Sequence, residues 1–377
     1  MLQPLSSQWT PTRLTLECVD IETETHDVKS FHLRVLPDAA GQAPLCLHRP
    51  GQFLTLRLRH GDMLVPRSYT IASPPSRPML LTLTVKRDPD GLVSRYMHDV
   101  LRIGDRLAAQ GPGGSFELLS VAPRRHIVML SGGSGITPMM AMLRYLQDRR
   151  ETAYRVSFLH SARGPADLLF QGELTAIAAR GGAKLGFICE RDALPGMEAG
   201  FLTRDMLQAH VPDLHDCTVL TCGPAPYMRA VRAMLGEAGF DMAHYHEESF
   251  GDPAERRNPD GATPESLRPD GLDEANAAPA PQADRRPEAE GQHLIRFTLS
   301  GKAAPYRPGE TILDVASREG IAVPTNCQMG LCGTCKAHCS AGRVAMDDTE
   351  GLAPGELEQG MVLTCCGRPQ GAVSIAL

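Results

Sequence analysis

The chain has 377 residues, of which 42% are hydrophobic, and a formal net charge of -6 with charges of both signs spread along it. This length predicts two or three domains with well-formed cores. No basic run appears and no stretch reaches about 18 apolar residues, so the sequence argues against nucleic acid as the main partner and against a membrane span. The N-terminus lacks the basic and apolar regions of a signal peptide, so the eleven cysteines are expected in a reducing cytoplasm.

Residues 9–118 have the pattern of an antiparallel β-barrel. Short alternating runs are separated by Pro and Gly turns, and the predicted strands are 13–19, 28–35, 52–58, 68–72 and 80–85. Arg67 and Tyr69 point to the same face of one strand, because strand side chains alternate. The guanidinium could bind a phosphate and the ring could stack on a flat heterocycle. An ordinary strand with a half-buried Tyr and an exposed Arg gives the same pattern.

Two glycine-containing segments follow the last of these strands. Gly91, Val93 and Ser94 come just before a helical pattern, and the N-terminus of that helix could hold a pyrophosphate. The run GPGGSFEL (111–118) is predicted to be a Gly-rich turn that closes the barrel.

From about residue 125, strands alternate with helices, which is typical of βαβ units in a parallel sheet. The predicted strands are 126–130, 156–162, 184–190 and 217–223, and the predicted helices end at 150 and span 168–179, 203–210 and 227–238. Gly132, Gly133 and Gly135 follow the first strand and open a helix whose first residue is predicted to be Pro138. Bare glycines let a dinucleotide pyrophosphate approach the N–H groups at a helix end, although a tight strand–helix turn gives the same pattern.

Residues 251–291 differ in composition from the rest of the chain. They are rich in Pro and in acidic residues, and Leu267 and Leu272 are their only large apolar side chains. Such a segment cannot offset the entropy of ordering, so a flexible linker is predicted. A small mixed α+β domain is predicted after it, at 292–377.

Four cysteines of this last domain have the spacing of metal ligands. Cys327, Cys332 and Cys335 form C-x4-C-x2-C with a distant Cys365, which is the ligand spacing of a plant-type [2Fe-2S] centre. Thiolates suit the soft iron–sulfide core. A structural zinc site usually pairs two C-x-x-C knuckles, and disulfides need an oxidising compartment, so both alternatives are disfavoured.

The ordered motifs PRSYT, GLVSRYMHD, GPGGSF, MLSGGSGITPMM and LTCGPAPYM resemble the ferredoxin–NADP reductase superfamily. With NCQMGLCGTC, the chain resembles the branch that fuses an FAD barrel, a nicotinamide domain and a plant-type ferredoxin. This resemblance implies an FAD-binding antiparallel β-barrel at 9–118, an NAD(P)H-binding α/β domain with a parallel sheet at 119–250, and a β-grasp ferredoxin domain at 292–377. The linker at 251–291 would join the last two.

The resemblance also implies the roles of individual residues. Arg67 would hold the flavin pyrophosphate, Tyr69 would stack on the isoalloxazine, and Thr70 would hydrogen-bond near N5. Further contacts to FAD would come from Ser68, Val85, Lys86, Arg87, Gly91, Val93 and Ser94. The NAD(P)H loop would contain Gly132, Gly133, Gly135 and Thr137, and the nicotinamide would be placed against the flavin by Cys222, Gly223 and Pro224. Tyr69, Thr70 and Cys222 are the predicted catalytic residues, although Cys222 could equally be a buried core thiol.

The choice between NADH and NADPH depends on the end of strand 156–162. Ser161 and Arg163 could bind a 2′-phosphate, and the nearest acidic residue is Asp167, so NADPH is permitted. The family branch that this HSAR stretch resembles uses NADH or accepts either nucleotide, so NADH is slightly favoured.

The resemblance implies a reductase that passes electrons from NAD(P)H to FAD, then to the [2Fe-2S] cluster, and then to another protein. The expected acceptor is a terminal oxygenase or demethylase of the Rieske type, with the glycine-betaine-like class as one example. A reductase of a hybrid-cluster protein is the alternative, and a redox sensor without turnover is the alternative from another class. The chain is expected to be a monomer that binds neither nucleic acid nor membrane.

Overall fold

The computed structural model describes residues 12–37, 46–61, 63–250, 261–270, 294–307, 309–321, 323–325, 330, 333–346, 349, 351–353 and 355–377. The chain divides into two compact units, of which the first contains residues 1–64 and 69–272 and the second contains residues 65–68 and 273–377. None of the helices within the described ranges combines the length and the apolar character that a membrane crossing needs.

An antiparallel β-sheet forms the first part of the chain. Its strands are β1 (Thr12–Thr25), β2 (Val28–Val35), β3 (Phe53–His60), β4 (Met63–Thr70), β5 (Leu81–Lys86) and β6 (Arg106–Gly113). Alternate side chains such as Phe31, Leu33, Leu81 and Leu83 are fully buried, as the period of two requires. Each of the five predicted strands overlaps an observed one, although the strand predicted at 68–72 begins earlier, as β4 at Met63, and ends at Thr70. The predicted Gly-rich turn is wrong at 111–113, because these residues continue β6 and Gly113 pairs with Phe53 of β3.

Two short helices accompany this sheet. Helix α1 (Leu92–Arg95) follows Gly91 and continues directly into a π-helical turn (Tyr96–Val100), and helix α2 (Leu118–Val121) comes after β6. Glu117 caps α2, since its side chain accepts a hydrogen bond from the backbone N–H of Leu119 at 2.6 Å.

A six-stranded parallel sheet with the order β10-β9-β8-β7-β11-β12 forms the second part. Its strands are β7 (His126–Gly132), β8 (Arg155–Ala162), β9 (Lys184–Cys189), β10 (Glu198–Ala199), β11 (Cys217–Cys222) and β12 (Tyr245–Glu248). Its helices are α3 (Ile136–Asp148), α4 (Gln171–Ala179), α5 (Arg204–His210) and α6 (Ala225–Glu237). The predicted alternation of strands and helices is confirmed. The short strands β10 and β12 had no clear sequence signal.

The first helix of this sheet begins earlier than predicted. Gly133–Gly135 form a 3-10 turn that runs directly into α3, so Ile136 is the first helical residue and Pro138 is the third. Proline is tolerated there because the first-turn N–H groups have no partner within the helix.

Residues 261–270 lie inside the predicted linker but are ordered. Thr263 caps a 3-10 turn at Pro264–Ser266, and strand β13 (Arg268–Pro269) pairs antiparallel with β3. Leu267 is 1% exposed. We call residues 261–270 the strap. The prediction of a flexible coil is therefore wrong for the strap, and the rest of 251–291 lies outside the described residues.

The second unit contains a mixed sheet with the order β15-β14-β20-β16-β18 and a separate β17–β19 pair. Its elements are β14 (Leu294–Phe297), β15 (Ala303–Pro305), α7 (Ile312–Arg318), β16 (Lys336–Ala341), β17 (Val344–Met346), β18 (Met361–Leu363), β19 (Gly367–Pro369) and β20 (Val373–Ile375). Thr311 and Asp314 form a capping box that starts α7. Ile312 and Val315 of this helix pack with Phe297 and Ile375 in one core, as expected for an α+β domain.

Candidate functional site

Strand β4 carries the residues predicted to bind the flavin. Arg67, Ser68 and Tyr69 are half-buried, and Thr70 is 5% exposed. The Arg67 guanidinium donates a hydrogen bond to the carbonyl of Pro66 at 2.7 Å. Among the described residues the buried Thr70 Oγ1 has no hydrogen-bond partner. Because a buried hydroxyl without a partner costs free energy, Thr70 fits a hydrogen bond to a polar atom of a bound flavin.

The end of β5 is less open than the predicted flavin contacts require. The Val85 side chain is buried in the barrel, and its carbonyl accepts a hydrogen bond from His98 Nε2 at 2.8 Å. Lys86 Nζ lies 3.1 Å from a carboxylate oxygen of Asp27. Arg87 makes two hydrogen bonds to a carboxylate of the π-helical turn. Contacts from Lys86 and Arg87 to FAD would therefore have to coexist with these ion pairs.

The turn before α1 is closely packed around a serine. Ser94 Oγ donates to the carbonyl of Gly91 at 3.0 Å and accepts from the N–H of Asp88 at 3.1 Å. A Cβ on Gly91 would lie under 3.0 Å from Ser94 Oγ, so a larger residue here would displace the Ser94 side chain. Val93 is 1% exposed. Ser94 thus shapes the turn that begins α1.

The carboxyl ends of the parallel strands bring the predicted nicotinamide residues to one edge of the sheet. Gly132 is in register with Ser161 of β8, and Ser131 is in register with Cys222 of β11. A Cβ on Gly135 would lie well under 3.0 Å from the carbonyl of Cys222. The glycine turn of α3 and the end of β11 are therefore in direct backbone contact.

Three more residues predicted to bind the nucleotide, Thr137, Pro224 and Arg163, lie near the same edge of the sheet. Thr137 is 3% exposed, and its hydroxyl donates to the carbonyl of Ser134 at 3.1 Å. Pro224 caps helix α6, and Arg163 is exposed just beyond β8.

A residue that the sequence did not single out, Tyr227, supports both glycine turns. A Cβ on Gly132 would lie 3.2 Å from its ring, and a Cβ on Gly223 would lie 2.8 Å from it. The ring therefore occupies the space that side chains at these glycines would need. The signal was present in the sequence, since Tyr227 follows the Cys222-Gly223-Pro224 motif by three residues.

Glu248 is another residue at this edge of the sheet. It ends β12 in register with Cys222, and its Oε2 is buried without a hydrogen-bond partner in the described part of the chain. Burial raises the pKa of Glu248 to about 8. Burial, and then the nearby Glu248 carboxylate, raise the pKa of the Cys222 thiol well above its ordinary value. At neutral pH this edge therefore presents a neutral thiol and a protonated carboxyl.

Replacing Glu248 by glutamine is expected to change how stability depends on pH. The folded-state pKa of about 8 lies above the ordinary 4.5, so the folded state binds an extra proton between these values. The stabilisation from this group is complete below pH 4.5 and is lost as the pH rises to about 8, with a slope of about 1.4 kcal/mol per pH unit. Glutamine has no proton to lose, so the variant should become progressively more stable than the wild type over this range. Urea unfolding at several pH values would measure the difference.

The matched control for this experiment is Glu237→Gln, because Glu237 is an exposed carboxyl at the end of α6. Its stability should follow that of the wild type at every pH. A constant difference between Glu248→Gln and the wild type across the range would contradict the buried, protonated carboxyl.

In the second unit, two of the four predicted cluster ligands lie in the described residues. Cys335 is 3% and Cys365 8% exposed, and both belong to one buried cluster of side chains. The N–H of Gly330 donates to Cys365 Sγ at 3.3 Å. Such a bond stabilises the added negative charge when a cluster is reduced, and so raises its potential. Cys327 and Cys332 lie outside the described residues.

The glycines of this loop make close backbone contacts. The N–H of Gly351 donates to the carbonyl of Gly330 at 2.8 Å. Gly333 has a φ of +70°, and a Cβ there would lie under 3.0 Å from the carbonyl of Gly351. The chain thus folds tightly beside Cys335, which fits a loop that wraps a metal cluster.

Three family models match successive parts of the chain. They are an oxidoreductase FAD-binding domain at residues 15–118, an oxidoreductase NAD-binding domain at 129–233, and a 2Fe-2S iron-sulfur cluster binding domain at 297–370. Their order and positions agree with the barrel, the parallel sheet and the second unit. These matches confirm the cofactors expected from the sequence, namely FAD, a nicotinamide dinucleotide and a [2Fe-2S] cluster.

Similar proteins match over nearly the full length. The chain is 39% identical to the glycine betaine monooxygenase reductase subunit of Chromohalobacter salexigens, over 99% of this chain and 98% of that protein. It is 35% identical to the stachydrine N-demethylase reductase subunit Stc4 of Rhizobium meliloti, over 96% and 95%. Among solved structures, phthalate dioxygenase reductase matches with a TM-score of 0.54 and 24% identity, over 97% of this chain and 98% of that one. The last match concerns the fold alone.

Proposed function

We propose, since this chain belongs to the family of reductase subunits that join an FAD-binding, an NAD-binding and a 2Fe-2S domain, that it reduces a terminal oxygenase which oxidises an N-methylated small molecule. The observation that carries the proposal is the near full-length similarity to two reductase subunits whose names concern glycine betaine and stachydrine. Both names denote oxidation of a methylated amine.

The protein is an oxidoreductase that carries electrons from NAD(P)H through FAD and a [2Fe-2S] cluster. When bound, these groups supply the redox chemistry, namely hydride acceptance, separation of the electron pair and one-electron release. The chain supplies binding and orientation. In this proposal Thr70 hydrogen-bonds the flavin, the Gly135 turn admits the dinucleotide, and Cys222 lies against the nicotinamide.

The remaining parts of the proposal concern the flavin site, the nucleotide and the assembly. Arg67 binds the flavin pyrophosphate and Tyr69 stacks on its ring. NADH is the preferred nucleotide, and Ser161 and Arg163 are the residues to change if NADPH is used. The reductase works as a monomer. The ligand set of the cluster is Cys327, Cys332, Cys335 and Cys365, of which the first two rest on the sequence spacing alone.

The test is to mix the cofactor-loaded protein and NADH with a purified Rieske-type oxygenase that demethylates glycine betaine or a similar substrate. The expected result is formaldehyde release that requires both proteins, NADH and the substrate. NADPH in place of NADH should support slower turnover. A ketosteroid-oxidising oxygenase serves as the control acceptor and should give little turnover.

Other results would contradict the proposed acceptor or the proposed reductase activity. Rapid reduction of cytochrome c without any turnover of the N-demethylating oxygenase would reject the acceptor but keep the reductase. NADH oxidation that requires a hybrid-cluster protein, and that the oxygenase does not support, would favour the hybrid-cluster alternative. A flavin that neither NADH nor NADPH bleaches would favour the redox sensor.

A further inference from the structure

The strap is joined to the barrel by a buried ion pair. The Asp270 side chain is 8% exposed and that of Arg57, on β3, is 2% exposed. Arg57 Nη2 and Nε lie 2.7 Å and 2.8 Å from Asp270 Oδ2, and Arg59 donates to Oδ1. The N–H of Asp270 also donates to the carbonyl of Arg57 at 2.9 Å.

The buried Arg57 guanidinium bonds to both the barrel and the strap. Within the barrel, Arg57 Nη1 donates to the neutral amide oxygen of Gln110 at 3.0 Å. A buried guanidinium is costly unless a carboxylate pairs with it. Burial alone would raise the pKa of Asp270, but the hydrogen bonds from Arg59 and Arg57 hold it below its usual value. The strap therefore supplies a carboxylate to a guanidinium that lies on a barrel strand.

The other end of the strap contacts the helix after Gly91. The 3-10 turn at Pro264–Ser266 lies against both α1 and the π-helical turn that continues it. Leu267 is 1% exposed, and the charge of Arg268 lies near the Tyr96 hydroxyl. His60 Nδ1, at the end of β3, lies 2.8 Å from Ser266 Oγ. The strap thus connects β3 to this helix.

We propose that the strap is a positioning element for FAD, because it holds α1 and the turn at Gly91–Ser94 in the conformation that receives the diphosphate. This inference rests on the proposed function only in that the barrel binds FAD. It adds that residues far along the chain, Leu267 and Asp270, control the affinity of the flavin site. FMN lacks the second phosphate and the adenosine, so its binding should depend less on the strap.

The experiment measures flavin affinity in the full-length protein, after the flavin has been removed and with the [2Fe-2S] cluster in place. Leu267→Ala removes packing from the strap without touching the ion pair, and Asp270→Asn removes the charge. Fluorescence quenching on titration with FAD and with FMN gives the dissociation constants. Both variants should raise the dissociation constant for FAD about tenfold or more and that for FMN less than about threefold.

The control is Leu33→Ala, a truncation in the barrel core on β2, outside the strap. Its melting temperature should fall at least as much as that of Leu267→Ala, while its preference for FAD over FMN stays at the wild-type value. If Asp270→Asn does not fold, Leu267→Ala alone decides. An unchanged FAD affinity in the strap variants, or equal weakening of FAD and FMN, would overturn the inference. Neither readout involves the oxygenase, so the proposed acceptor can fail while this inference stands.

Discussion

Serine in place of Cys365 should stop electron transfer beyond the flavin, while NADH continues to reduce the flavin at the wild-type rate. The thiol is 8% exposed and accepts a hydrogen bond from Gly330, so it is buried against that loop and not on the surface. A hydroxyl is a poor ligand for iron that prefers soft thiolates, and the cluster should be lost. Iron content, the visible absorbance of the cluster and cytochrome c reduction would measure this loss. Ferricyanide reduction, which can draw electrons from the flavin, should persist.

The neighbouring cysteine provides the matched control. Cys366 is also buried, and its thiol contacts the carbonyl of Leu363 at 3.8 Å. Cys366→Ser should keep the cluster and its cytochrome c activity. If Cys366→Ser loses the cluster and Cys365→Ser keeps it, the predicted ligand set is wrong. If Cys365→Ser also loses flavin reduction, the two redox modules depend on each other more than their separate domains indicate.

Alanine in place of Gly135 should slow reduction of the flavin by NADH by about 100-fold or more. Its Cβ would overlap the carbonyl of Cys222, and neither group can move without shifting the start of α3 or the end of β11. In the proposed function both segments form the edge that receives the nicotinamide, and hydride transfer is sensitive to displacements of about 1 Å. Stopped-flow absorbance of the flavin after mixing with NADH would measure the rate.

The control for this substitution is Gly236→Ala, since Gly236 lies in α6 and a Cβ there would meet nothing within 4 Å. That variant should reduce its flavin at the wild-type rate and should be slightly more stable, because alanine favours helix. A normal rate for Gly135→Ala would show that the contact between the glycine turn and β11 is not needed for hydride transfer.

The parts of the site that could be predicted depend on local sequence. The spacing of Cys327, Cys332 and Cys335 indicates an iron–sulfur loop because a single loop must supply three thiolates. Gly132, Gly133 and Gly135 indicate a nucleotide turn because they follow an apolar strand and precede a helix. The strands of the barrel were predictable for the same reason, since alternation along a strand directly reflects one buried face.

The parts that could not be predicted depend on neighbours distant in sequence. The buried position and raised pKa of Glu248 depend on the pairing of β12 with β11, which places Glu248 in register with Cys222. Composition alone predicts that the strap is a flexible coil, and nothing near Asp270 in sequence reveals that it pairs with the buried Arg57 of β3. The start of α3 was predicted two residues too late, at Pro138, because the 3-10 turn before it runs directly into a helix that begins at Ile136.

The buried pair of Arg57 and Asp270 also affects how the protein is made. A ribosome adds about 5–20 residues per second, and residue 270 emerges roughly 150 residues after the last barrel strand. For about 10–30 seconds the nascent barrel therefore lacks Asp270, while the parallel sheet is synthesised. The FAD-binding domain cannot reach its final stability in the order in which it is translated. The contact between Arg57 and Asp270 can form only after the parallel-sheet domain has been synthesised.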